Sequence, residues 1–157
     1  MVGFIGPYDK FAQAAMNACP LCQPGIEDLI HAGEELRVVL VDDRDYPGYC
    51  RVIWNAHLAE MTDLAPAQIA RLMGGVLAVE SALRAVLEPA KVNLASFGNM
   101  VPHLHWHVIP RFADDAHFPE PVWGVRQRES DPGRLAERRA RLDALRARIA
   151  AELAVRR

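Results

Sequence analysis

"HLHWHVIPR", residues 103–111, sets histidines at 103, 105 and 107 with Leu104, Trp106 and Val108 in alternation. Successive side chains of a β-strand point to opposite faces, so a strand here puts three imidazoles on one face and three apolar side chains on the other. One face is core and the other carries chemistry. Pro110 has no N–H to give to a ladder, so the strand must stop there or run along an edge.

Working outward, "KVNLASFGN" (91–99) is a second strand, joined to the first by a tight connection around Gly98 and Asn99. Upstream, "ELRVVLVDD" (35–43) and "YCRVIWNAH" (49–57) are β-branched runs joined by "RDYPG", a hairpin-like pair with a longer loop. Between the two pairs, Pro66 suits a helix's first turn, and Ile69, Leu72, Met73, Val76, Val79, Leu83 and Leu87 keep helical spacing. This predicts a helix over about 66–87, in which Gly74 and Gly75 imply a kink or the close approach of another backbone. After an irregular stretch from "DDAHFPEPVWG", Asp131 fits an N-cap and Pro132 a first helical position, with Leu135, Leu142, Leu145, Ile149 and Leu153 continuing a helical pattern. Strands, helix, strands, helix is the order of an α+β fold, an antiparallel β-sheet with packed helices. Residues 1–127 read as the domain and 128–157 as an amphipathic C-terminal helix packed on the domain or on a second copy.

A chain of 157 residues, 51% hydrophobic, can bury a core without staples, so one domain is expected. No apolar run approaches the roughly 20 residues of a membrane span, and Pro7, Asp9 and Lys10 interrupt any signal-like stretch. The expectation is a cytoplasmic protein with no membrane partner. Three cysteines are an odd count for a disulfide framework, which turns attention to metal or redox chemistry. Residues 1–127 hold 9 Lys or Arg against 15 Asp or Glu, so the main body is acidic and no nucleic-acid surface is expected.

Buried imidazoles each need hydrogen-bond partners, so three on one strand face are poorly explained as packing. Two functional readings stand: a metal face, or a nucleophilic imidazole flanked by others that orient it or bind an anion. "CPLC" (19–22) bears on the choice, because two thiolates at this spacing can bind one zinc ion, with His57 and His103 the natural candidates for the other two ligands. A redox pair and a pair of uninvolved thiols are the competing readings. If His103 binds metal, His105 lies roughly 6.6 Å along the strand, near enough to be positioned and free to react. Cys50 reads as a small buried apolar residue.

"HLHWHVIPR" resembles the signature of the histidine triad (HIT) superfamily, His-x-His-x-His followed by apolar residues. "GYCRVIWNAH" is similar to the family's strand that ends in a histidine, here His57, with Trp54 and Asn55 replacing Pro and Lys. "CPLC" resembles the cysteine pair of zinc-containing bacterial members, and the likeness spans residues 19–127. It implies hydrolysis of a nucleotide conjugate by a homodimeric enzyme. His105 would attack the α-phosphate, His107 would contact phosphate or assist the leaving group, and His103 would join Cys19, Cys22 and His57 on a structural zinc. The resemblance also matches Asn93 to an asparagine at the start of the family's loop and Asp42 to an acidic residue holding ribose hydroxyls. Ordinary turn chemistry competes at Asn93 and Asn99, and a solvated strand end at Asp42. Members usually carry Gln then Ser or Thr before the triad; Asn99 keeps an amide for phosphate, whereas Met100 cannot replace the hydroxyl. Trp123 resembles C-terminal tryptophans near the family's nucleotide site, with core or interface packing the competing reading. A nucleotide sensor, a hydrolase with all three histidines on a catalytic metal, and a nucleotidyl transferase are the rival readings.

Overall fold

The computed structural model describes residues 18–23 and 25–155; residues 1–17, most of the N-terminal extension of the domain that precedes the family resemblance at residue 19, lie outside the described residues. Five strands, β1 (Asp28–Ala32), β2 (Leu36–Leu40), β3 (Cys50–Trp54), β4 (Lys91–Ala95) and β5 (His105–Arg111), form one antiparallel sheet in the order β1-β2-β3-β5-β4. Among the described residues three α-helices accompany them: α1 (Pro66–Leu87), α2 (Pro132–Arg139) and α3 (Leu142–Val155). The α+β expectation is met.

Alternation along the strands divides the sheet. Val38, Leu40, Cys50, Val52, Trp54, Leu104 and Val108 point into the main core, where they meet Leu72, Val76, Val79 and Leu83 of α1 and Leu145, Ile149 and Leu153 of α3. Burying each Leu or Val of this set contributes roughly 1.5–3 kcal/mol, which makes the α1/α3 layer the main tie of the sheet. Gly75 lets the helix come close, since a Cβ there would sit 3.1 Å from Leu36 Cδ2. α1 starts at Pro66, with Gln68 Oε1 accepting from the Ala65 N–H at 3.0 Å. It ends where Glu88 turns left-handed and Pro89 cannot extend the ladder.

Two strands differ in extent from the sequence pattern. β4 stops at Ala95, and β5 begins at His105, so His103 lies in the turn that feeds the strand. β5 continues through Pro110 because β3 pairs with it only as far as Val108; beyond that point β4 is its sole neighbour. β1 was not foreseen: it is a five-residue edge strand with a bulge between Leu29 and His31. The C-terminal pattern divides into two helices, the first capped by Asp131, whose Oδ1 accepts from Gly133 and Arg134 N–H at 2.7 and 3.1 Å.

Candidate active site and metal cluster

The face of the sheet turned away from α1 carries Arg51 and Ile53 of β3 beside His105 and His107 of β5, paired Ile53 with His105 and Arg51 with His107. His105 and His107 are both buried, and their rings stand edge to face with centroids 4.8 Å apart. The His105 ring is anchored through Nδ1, 2.6 Å from the His103 carbonyl oxygen. A carbonyl can only accept, so Nδ1 carries the proton and Nε2 keeps the lone pair. Burial lowers the His105 pKa, opposed by that backbone bond and reinforced by the Arg51 charge, so the imidazole is neutral near pH 7.

His107 Nδ1 lies 2.5 Å from the Tyr49 hydroxyl, two strands' worth of side chains locked by one contact. Burial, then the neighbouring His105 and Arg51, pull the His107 pKa down to about 4. Aromatic rings close over it: Trp123 lies 5.2 Å from the His107 ring, and Phe97 packs edge-on to Trp123 at 4.8 Å. Both aromatic side chains are about half exposed, so the rings form a wall open to solvent.

Behind this pair lies the second cluster. Cys19-Pro20-Leu21-Cys22 folds into a turn, with Cys22 and Gln23 N–H both donating to the Cys19 carbonyl, which turns both thiols to one side. Ligand atoms of Cys19, Cys22, His57 and His103 all lie within 4.8 Å of one another. Cys22 Sγ is 3.2 Å from His57 Nδ1 and 3.4 Å from His103 Nδ1, and the two Nδ1 atoms are 3.3 Å apart. Zinc–ligand distances for nitrogen and sulfur imply tetrahedral edges of roughly 3.3 Å for N to N and roughly 3.6 Å for S to N, so the donors fit a small tetrahedral ion. The outer nitrogen of His103 is 2.6 Å from the Trp54 carbonyl, which fixes the tautomer with Nδ1 bare toward the thiols. Burial and the adjoining Cys19 thiol raise Cys22 to about 11, a poor setting for a thiolate unless a cation joins it. The cluster therefore fits a metal site, and it takes His103 away from the other two histidines.

Of the remaining sequence candidates, Asn93 Oδ1 accepts from Arg111 Nη1 at 2.6 Å on the edge strand β4. Asn99 and Asp42 are exposed in loops, and Met100 is 95% exposed. Cys50 is buried in the core as expected, where burial raises its thiol to about 12. The sequence reading missed Tyr49 and Arg51. Their signal was present in "YCRVIW", where two polar side chains alternate with Cys50 and Val52, but their partners are set by the β3–β5 register. It also missed Asp115, which is buried and paired with Arg111 beneath the loop that carries Trp123.

Fold and site together define a small antiparallel-sheet protein with a His-x-His-x-His segment on the face opposite its helices and a Cys₂His₂ donor cluster at the segment's start. The family model described as the HIT domain matches residues 26–114, more than half of the chain, and the chain belongs to that family. Among solved structures it is similar to histidine triad proteins of Bradyrhizobium japonicum (29% identity, 80% of this chain and 91% of that one, TM-score 0.63) and Sinorhizobium meliloti (27% identity, 87% and 98%, TM-score 0.63). A Zn-bound histidine triad family protein of Mycobacterium smegmatis shares the fold at 23% identity, with 87% and 98% covered and a TM-score of 0.54. No curated protein sequence matches the chain.

Proposed function

We propose that the chain hydrolyses a nucleotide conjugate, a dinucleoside polyphosphate or a nucleoside phosphoramidate, at the α-phosphate through a nucleotidyl-histidine on His105. The carrying observation is the 2.6 Å contact of His105 Nδ1 with the His103 carbonyl, which leaves Nε2 bare in a neutral ring. The Nε2 lone pair forms the N–P bond as the bond from phosphorus to the leaving group breaks. From a dinucleoside polyphosphate the other nucleoside polyphosphate departs with the electron pair; from a phosphoramidate the amine departs after taking a proton from solvent. The positive charge left on the ring is shared with the carbonyl through Nδ1–H. Water then attacks phosphorus, the N–P bond returns its pair to Nε2, a proton goes to solvent, and the nucleoside monophosphate leaves. With the Tyr49 hydroxyl donating to its Nδ1, His107 presents Nε2–H to a phosphate oxygen.

Asp42, exposed after β2, is assigned to ribose hydroxyls, and the Asn93 and Asn99 amides to phosphate alongside His107. We assign zinc to Cys19, Cys22, His57 and His103; a bound ion would neutralise the thiolates and hold the His57 and His103 segments together. The zinc carried by the Mycobacterium smegmatis protein supports that choice. Exposed Leu94 and Phe97 at the β4 edge support a homodimer, and free thiols suit the cytoplasm.

His105→Ala should abolish AMP release from diadenosine tetraphosphate and from adenosine phosphoramidate while the variant still folds. Full turnover of either substrate by His105→Ala would refute the reading. Met100, which brings no hydroxyl to the loop, favours a second reading as a nucleotide sensor; tight binding of AMP with no turnover by the wild type would select it.

A further inference from the structure

Arg51 is the one charged side chain of β3, and its place on the sheet face is set by pairing with His107 on one side and Val39 on the other. Its Nε is buried with no hydrogen-bond partner, its guanidinium also meets the Tyr49 hydroxyl, and among the described residues the side chain forms no ion pair. Arg51 is half-buried with no carboxylate to balance its charge, whereas other arginines of this chain, such as Arg37 and Arg111, are paired with Glu27 and Asp115. The Arg51 charge is felt at Tyr49, His105 and His107, so the cation sits among the residues of the site.

We propose that Arg51 is an anion-binding residue of this site, donating to phosphate oxygens of the ligand held beside His105 and His107. Five N–H donors in a planar fork match phosphate geometry, whereas in the neighbouring loop position 100 is an exposed methionine and the Ser96 hydroxyl is donated to the His105 carbonyl. The inference takes the identity of the phosphate's owner, a nucleotide, from the reading above.

The test is calorimetric titration of the metal-loaded full chain with AMP, adenosine and inorganic pyrophosphate, for wild type, Arg51→Met and Arg51→Lys. Arg51→Met should weaken AMP and pyrophosphate by roughly tenfold or more, with adenosine unchanged, and Arg51→Lys should recover part of the loss. The melting temperature of Arg51→Met should fall by no more than roughly 2–4 °C, the worth of the one hydrogen bond to the Tyr49 hydroxyl. Unchanged AMP and pyrophosphate affinities, a parallel loss for all three ligands, or no binding of either anion by the wild type would overturn the proposal. Arg51-dependent pyrophosphate binding by a protein indifferent to AMP would uphold the arginine and discard the nucleotide reading. AMP binding that ignores Arg51 would do the reverse.

Discussion

Replacing Asp115 with alanine should be one of the most damaging single changes in the loop behind the site, and the structure indicates by how much. Asp115 is 2% exposed, and its carboxylate accepts from Arg111 Nε and Nη2 at 2.8 and 3.1 Å and from the backbone N–H groups of Phe112, His117 and Phe118 at 3.0, 3.0 and 2.7 Å. Burial alone would raise its pKa, but these donors outweigh it and hold the carboxyl below its usual range. Asp115→Ala strands the Arg111 charge and three amides together, which should cost about 4 kcal/mol. Arg111→Met leaves Asp115 with its three amides and should cost only about 2 kcal/mol. In a domain of this size about 4 kcal/mol lowers the melting temperature by roughly 8–16 °C. Urea unfolding of the two metal-loaded variants measures the order directly. An Asp115→Ala cost under about 1.5 kcal/mol, or an Arg111→Met cost that equals or exceeds it, would refute the reasoning.

Other consequences are as specific. Removing the metal with a chelator should release one ion per chain by elemental analysis and lower stability by about 4 kcal/mol if the ion had been present at a thousandfold its dissociation constant. Turnover should persist in whatever apo protein stays folded, and a folded apo protein with none would place the metal in the chemistry. Asp45 is held at a pKa of about 2 by Arg126, with Ser130 assisting and burial opposing, against an ordinary 3.8. Its contribution of about 2 kcal/mol is therefore complete above pH 4 and lost as pH falls through 2. Urea midpoints compared at pH 5 and 2.5 should show a smaller acid loss for Asp45→Asn than for wild type, and equal losses would sink the assignment.

How much of this was legible in the sequence follows from the range of each interaction. α1 could be read to its ends, because Pro66 and the 3.6-residue spacing that runs to Leu87 are local. The His-x-His-x-His segment announced a two-sided strand for the same reason, and Leu104, Trp106 and Val108 do face the core. The four cluster residues could be named from spacing and resemblance although 84 residues separate Cys19 from His103. β1 could not, since an edge strand with a bulge and one apolar face in contact leaves little period to see. Arg51 and Tyr49 acquire meaning only when register lays them against His107, and Asp115 only when its loop folds back over Arg111. For Tyr49 and Arg51 the sequence holds only their alternation with Cys50 and Val52; the partners of all three residues are set by tertiary structure.

Whether His105 Nε2 is the nucleophile is read by intact-protein mass spectrometry after rapid quenching of reactions with diadenosine tetraphosphate or with adenosine phosphoramidate. A nucleophilic His105 gives a transient gain of one adenylyl group on the wild type, mapped to His105 and missing from His105→Ala. AMP release by the wild type with no adduct at any quench time, or an adduct of equal yield on His105→Ala, would contradict it.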